Sequence, residues 1–259
     1  MGSDVDVKFQ YPVILKPSNG VDYFHHPFEG QHKIYKLNSL EEVKKTIEDI
    51  YASGYSDKLI IQDMIPGNDE YMRVLTCYSD RNHKVKMMCL GHVLLEEHTP
   101  LGLGNHALII TEPNDSLTEK VRNLLEDLDF VGFSNFDIKY DSRDGKYKFF
   151  ELNCRQGRSN FYVTNSGFNI ARYLVEDYIE QKDIPFKTAQ DEYLWMVVPK
   201  AVAFKYVKDP EMKQRMKKLI KEKKMVNPLF MRGDLGLKRY LRLVKGHLRH
   251  YSNYKKYYN

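Results

Sequence analysis

No stretch of the sequence approaches the roughly 20 apolar residues that a bilayer-spanning helix requires. The start, MGSDVDVKFQ, also lacks the basic-then-apolar layout of a signal peptide, so a cytoplasmic protein is expected. Cysteine is scarce: Cys77, Cys89 and Cys154 are odd in number and too far apart for a zinc motif or a disulfide framework, and they read as reduced thiols. None of the nine histidines forms an H-x-x-x-H pair on a helix with a third ligand nearby, which excludes the common helical zinc site. Internal repeats, low-complexity linkers and nucleic-acid recognition motifs are all missing, and no nucleic-acid partner is expected.

What is present is a chain of 259 residues, 42% hydrophobic and 29% charged, long enough to bury a real core in one or two domains. Its net charge of +5 is unevenly spread. Residues 200–259 hold 18 Lys and Arg against 4 Asp and Glu, leaving 22 against 31 for residues 1–199, so two regions carry different electrostatic roles.

YPVILKP reads as a short β-branched strand ending at Lys16-Pro17, followed by the turn signal SNG. Ser39 and Glu42 form a capping box before a helix whose Val43, Ile47, Ile50 and Tyr51 recur at helical spacing and which ends near Gly54. KLIIQDMI is a second strand, and YMRVLTCY, VKMMCLGHVLL and HALIIT supply more, in a sheet expected to be antiparallel. A second capping box, Ser116 and Glu119, precedes a helix with Val121, Leu124, Leu125 and Leu128 on its buried stripe. FSNFDIKYD and YKFFELNCR then pair through SRDGK, with its Asp-Gly turn signal, and a further helix is expected from about Asn169 to Glu180.

If that turn centres on Asp144, Asp137 faces Glu151 across the hairpin. Asn153 and Arg155 share the face of Glu151, whereas Phe136, Ile138, Tyr140, Phe150, Leu152 and Cys154 occupy the other. Two directly opposed carboxylates repel, so the pattern makes sense with a cation between them. Asp137, Glu151 and Asn153 are the candidate ligands, and oxygen donors few in number suit magnesium. A solvent-facing hairpin with alternating polar residues fits the same periodicity.

Glu151-Leu-Asn153-Cys-Arg155, with Asp137 on the preceding strand, resembles the E-x-N-x-R signature of the ATP-grasp superfamily. Lys16 closing an early strand and QDMIPGND at 62–69 stand in the family's order. VILKPSN, IIQDMIPGNDEYMRVLT, LGHVLLEEHTPLGLGNHA and FFELNCRQGRSNFYVTNSGFN are further similar to the D-aspartate ligases of some Gram-positive cell walls. The resemblance implies an α+β ATP-grasp fold, two α+β subdomains with mainly antiparallel sheets gripping ATP. The expected division is a small lid subdomain at 1–66, a catalytic subdomain with the metal site at 67–199, and a basic helical extension at 200–259.

Carried over residue by residue, the resemblance assigns Lys16 to the α- and β-phosphates, and Ser18, Asn19 and Gly20 to the loop over the phosphates. Without it, that glycine-poor loop passes for an ordinary turn. Gln62, Asp63 and Ile65 correspond to the adenine hinge, and Asp69, with Glu70 as the alternative, to the ribose. Arg155 would stabilise the transferring phosphoryl group. Arg158, Ser159, Asn105 and His106 are candidates for the amino-acid or acceptor pocket.

The cofactors implied are ATP and two magnesium ions, with manganese able to substitute. The implied reaction joins a carboxylate, that of D-aspartate, to the side-chain amine of lysine in a peptidoglycan precursor through an acyl phosphate. A ligase for another amino acid or peptide, or a non-catalytic nucleotide-binding module, is the alternative. The family's usual N-terminal domain is expected to be absent. From Leu237, Tyr240, Leu241, Val244, Leu248 and Tyr251 recur at helical spacing among Lys238, Arg239, Arg242, Lys245 and Arg249. That stretch suits peripheral contact with an anionic membrane, attraction of a nucleotide-linked precursor, or packing on the core with a solvated basic face.

Overall fold

The computed structural model describes residues 5–231, 233 and 235–258. It forms two compact units, one comprising the residues up to Pro66 with His98–Gly104, the other Gly67–Glu97 and the residues from Asn105 onward.

In the first unit the chain runs β1 (Val13–Pro17), α1 (Gly20–His25), β2 (Tyr35–Leu37), α2 (Leu40–Ala52) and β3 (Leu59–Asp63). The strands form an antiparallel sheet in the order β2-β1-β3. Period-two alternation in β1 sends Val13 and Leu15 into a core with Val43, Ile47 and Ile50 of α2, and leaves Ile14 and Lys16 on the opposite face. Ser39 caps α2 by accepting from the Glu42 amide at 3.2 Å. Glu42 reaches back to the Asn38 amide, one residue earlier than in an ideal capping box. Gly54, at φ +100°, ends the helix in the left-handed conformation that glycine tolerates. Tyr51, expected in the buried stripe, is exposed and donates its hydroxyl to the Asp57 carbonyl instead. Lys33 holds the His98–Gly104 segment through the carbonyls of Pro100 and Leu103.

The second unit continues with β4 (Met72–Ser79), β5 (Val85–Glu96), β6 (His106–Thr111), α3 (Asp115–Asp127), β7 (Gly132–Asp141) and β8 (Lys146–Asn153). Then come α4 (Phe161–Asn165), α5 (Ile170–Leu174), β9 (Lys187–Thr188), β10 (Leu194–Met196), α6 (Lys200–Tyr206), α7 (Pro210–Lys221), β11 (Met225–Val226) and α8 (Leu237–Tyr257). Its sheet runs β11-β10-β6-β5-β4-β7-β8, with β9 added beside β5, and only the β9 and β11 pairings are parallel. The central strands β4 and β5 are buried on both faces, which is why they read as nearly unbroken apolar runs. Leu75, Cys77, Met88, Leu90, Phe136 and Ile138 pack on α3, while Val74, Tyr78, Met87 and Cys89 pack towards the later helices. Residues 200–259, read from sequence as an extension, lie within this unit.

Three expectations are corrected here. The cap of α3 is Asn114, which accepts from the Leu117 amide, so Ser116 lies inside the first turn. The buried ridge of α3 is Leu117, Val121 and Leu125; Leu124 falls on the flank, and Leu128 is the cap residue beyond the last turn. The helix expected at 169–180 is α-helical only to Leu174 and widens to a π-turn over Val175–Ile179. The buried Asp177 of that turn accepts from the Tyr78 hydroxyl at 2.7 Å and the Arg81 amide at 3.0 Å. Among the described residues no helix is long and apolar enough to cross a membrane.

An ion network fastens α7 to the sheet. Glu112 accepts from Arg73 at 2.8 Å and from Arg215 at 3.4 Å, with His92 Nδ1 at 3.3 Å; Arg215 also reaches Glu192 at 2.7 Å. Burial opposes the charge on Glu112, but the His92 contact and the two guanidiniums outweigh it and hold the carboxyl at about 2 instead of 4.5. A pKa depressed on folding stabilises the protein above the unfolded value and ceases to do so as the pH falls through the folded one. Between pH 5 and 2 this carboxyl therefore accounts for roughly 3 kcal/mol of lost stability. Urea unfolding across that range should give a shallower pH dependence for Glu112→Gln than for wild type; equal slopes would refute the assignment.

Candidate active site

The β7–β8 hairpin brings Asp137 directly opposite Glu151 and Asn135 directly opposite Asn153, so all four side chains share one face. The register is not uniform. From the turn outward Asp141 pairs with Lys146 and Ile138 with Phe149, and the next pair is Asp137 with Glu151, so Phe150 is the extra residue of a β-bulge. The bulge overturns the expectation that Phe150 shares the face of Phe136. Phe149 stacks edge-on against Phe136 at 5.8 Å, whereas Phe150 packs with the core cluster of Val74 and Tyr162. Leu152 and Cys154, also expected in the core, are exposed.

Beneath the hairpin lies a polar bed. Thr76 donates to Asn135 Oδ1 at 2.8 Å and receives the Tyr162 hydroxyl at 2.9 Å. The same Tyr162 oxygen lies 2.9 Å from the Cys89 carbonyl, and Thr76 Oγ1 is 3.3 Å from Asn160 Oδ1. Asp137 and Asn153 are half-buried and Glu151 is exposed, giving two carboxylates and one amide at the mouth of this bed. Among the described residues no group of three His, Cys, Asp or Glu is arranged to hold a metal ion, so the oxygen donors gathered here are the carboxylate pair and Asn153.

Beside Asp137 stands His106, whose Nε2 lies 3.9 Å from Asp137 Oδ1 and 3.8 Å from Glu96 Oε1, and whose Nδ1 is 3.4 Å from Ser159 Oγ. His106 and Ser159 are thus brought together with the candidate metal ligands. Asn105 contributes its carbonyl to the Glu97 amide at 2.8 Å. Arg158 pairs with Glu97 at 2.7 Å, and the exposed Arg155 donates to the Gln156 carbonyl. Asp69 is buried and accepts from the Glu96 amide at 2.8 Å. Glu70, the alternative for the ribose, instead caps residues 208 and 209 by accepting their amides.

Sequence reasoning missed Glu96 and Asn135. The signals were there: Glu96-Glu97 closes an otherwise apolar strand, and Asn135 precedes Asp137 by one period of the pleat.

In the first unit, Lys16 pairs with Ile60 and Ile14 with Gln62, so Lys16 and Gln62 share the face turned away from α2. β3 lies at the edge of its sheet and ends in Gln62 and Asp63, with Ile65 just beyond it. The turn at 18–20 is committed elsewhere. The Ser18 amide donates to the Lys58 carbonyl at 2.9 Å and the Asn19 amide to the Tyr55 hydroxyl at 3.2 Å, while the Asn19 side chain caps α1. Of the three residues assigned to the loop over the phosphates, Ser18 and Asn19 thus have their amides bonded within this unit.

D-aspartate ligase of Enterococcus faecium (strain Aus0004) is 42% identical to this chain over 260 residues. The chain is homologous to that ligase. The alignment takes in 98% of the chain and 62% of the relative, so the chain spans under two thirds of that ligase's length. No family model matches the chain. Among solved structures, the biotin carboxylase domain of Hydrogenobacter thermophilus 2-oxoglutarate carboxylase, complexed with MgADP, ADP and bicarbonate, gives a TM-score of 0.49 at 16% identity over 70% of this chain and 38% of that one. L-amino acid ligase from Bacillus licheniformis gives 0.45 at 15% identity, over 66% of this chain and 39% of that one.

Gly157, in the loop that leaves the β7–β8 hairpin, presses on the polar bed. A Cβ there would lie 2.8 Å from Asn160 Oδ1 and 3.0 Å from Asn135 Oδ1. Gly157→Ala should therefore cost about 1–3 kcal/mol in urea unfolding, and an unchanged midpoint would show that the bed yields freely.

Proposed function

We propose that the chain is the nucleotide-binding and catalytic part of an ATP-dependent ligase that forms an amide between an amino-acid carboxylate, that of D-aspartate, and the side-chain amine of lysine in a peptidoglycan precursor. The observation that carries this reading is the apposition of Asp137 and Glu151, with Asn153, on one face of the β7–β8 hairpin. The 42% identity to D-aspartate ligase supports the choice of amino acid.

The donor set fits magnesium, which takes few protein ligands and completes its shell with water and phosphate oxygens. Asp137, Glu151 and Asn153 would hold two such ions, and manganese has the same oxygen preference. When bound, the metal neutralises phosphate charge. Lys16 is a mobile point charge suited to the α- and β-phosphates, and Gln62, Asp63 and Ile65 present an edge to adenine. Asp69 is assigned to the ribose in preference to Glu70, whose carboxylate is taken up by the amides of residues 208 and 209. Ser18 and Asn19 contribute only if their turn releases its present bonds. Arg155, a planar fork, stabilises charge on the transferring group. Arg158, Ser159, Asn105 and His106 line the pocket assigned to the amino acid and its acceptor.

In this reading the carboxylate of D-aspartate attacks the γ-phosphorus and ADP leaves; the lysine amine then displaces phosphate from the acyl phosphate. These residues act by positioning and charge compensation, and no protein nucleophile is required. Dependence on ATP places the reaction in the cytoplasm. One other reading is a non-catalytic nucleotide-binding module.

ADP release should be stimulated by D-aspartate above a panel of other amino acids, and Glu151→Gln should lower it on the order of a hundredfold or more with an unchanged urea midpoint. Magnesium-dependent ATP binding without D-aspartate-stimulated release would reject ligase activity for this chain in favour of the module. Calorimetric ATP binding indifferent to magnesium and to Glu151→Gln would reject the metal assignment.

A further inference from the structure

Helix α8 carries seven Lys and Arg and no Asp or Glu, and it buries a side that its apolar periodicity does not announce. Tyr254 is buried, stacks on Tyr258 and packs against Tyr206; its hydroxyl donates to the Glu96 carbonyl at 2.6 Å. One and two turns earlier, His250 and His247 continue this side, with His247 against the ring of Phe230. A different row stays open. Leu237, Leu241, Leu248 and Tyr251 are 76, 59, 59 and 45% exposed, and successive residues of this row stand four, seven and three positions apart. At 100° per residue they fall on one stripe, about a quarter turn from the buried side. Next to that stripe run Lys238, Arg242, Lys245, Arg249 and Lys256.

We propose that these two adjacent rows form a docking face for an anionic lipid surface. Charge and apolarity together choose this occupant. A second copy of the chain would bring seven cations against seven, and an acidic protein or nucleic acid would leave the leucine row in water. A lipid headgroup layer satisfies both rows: its phosphates meet the Lys and Arg row, and the acyl boundary about 5–10 Å below takes the leucines. Tyr240 and Tyr251, both exposed, border the leucine row, where amphipathic rings are favoured at such a boundary. The region around the helix adds to the attraction, since residues 200–259 carry 18 basic against 4 acidic side chains. Because Tyr254 ties α8 to the end of β5, a docked helix carries the second unit with it.

The test is co-sedimentation of the full chain with vesicles of equimolar phosphatidylglycerol and phosphatidylcholine, against phosphatidylcholine alone. Binding is expected only to the mixed vesicles and should fall steeply at about 0.5 M salt. Reversing Arg242, Lys245 and Arg249 to Glu should weaken it on the order of a hundredfold, and Leu241→Ser with Leu248→Ser at least about tenfold. The same number of reversals at Lys45, Lys120 and Lys221 should weaken it far less. The wild-type salt and lipid arms stand even if a variant fails to fold. Equal binding to both vesicle types, or equal loss in the control reversals, would overturn the proposal. So would an absence of vesicle binding with a leucine row that drives self-association in sedimentation equilibrium.

Discussion

Two carboxylates held face to face on a strand pair are the constraint to which the second unit is built. Directly opposed like charges weaken a sheet, so the hairpin is tolerated only because its surroundings determine it from both sides. On one side Phe136 and Ile138 are locked into the α3 core. On the other, Thr76 donates to Asn135 and is itself bonded to Tyr162 and Asn160, which leaves the hairpin little freedom to slide. The decisive device is the bulge at Phe150. Continuing the turn-proximal register without it would set Phe150 against Asp137 and rotate Glu151 to the other face.

Electrostatics divides the molecule along the same lines. Carboxylates needed for fixed architecture are saturated by cations or donors: Glu112 between two arginines, Asp177 under Tyr78 and Arg81, Asp141 chelated by Arg143. Asp137 and Glu151 stand directly across from each other on neighbouring strands, with His106 close to the first. Two carboxylates facing one another on a rigid sheet are suited to a cation between them. Of the two adjacent acids Glu70 and Asp69, the first is consumed in capping residues 208 and 209, which leaves one candidate.

Much of this was legible because it rests on short-range rules. The strands follow apolar runs, Gly54 ends its helix at positive φ, and the β7–β8 hairpin has Asp137 opposite Glu151 as expected. That agreement had two sources: the pairing nearer the turn is offset by one, and the bulge restores it. Phe149-Phe150, two large apolar residues in succession, was the visible sign that period two breaks there. Ser116 misled because Asn114, two residues earlier, is an equally good cap and has the leucine ridge in phase. The packed side of α8 was hidden for a different reason. Leucine is the more apolar choice, but Tyr254 and Tyr258 of the neighbouring row have partners for their hydroxyls and could be packed inward. Glu96 escaped notice because its role arises from tertiary contact with Asp69 and His106, which no local pattern encodes.

The hydroxyl of Tyr254 bears on how such a chain can be shortened or fused. It meets a carbonyl at the end of β5, the strand whose final residue also donates to Asp69, although 158 positions separate the two in sequence. The last turns of α8 are therefore tied to the strand end that also holds Asp69, and are not a detachable appendage. A gene ending before codon 254 would take that hydroxyl away from the end of β5.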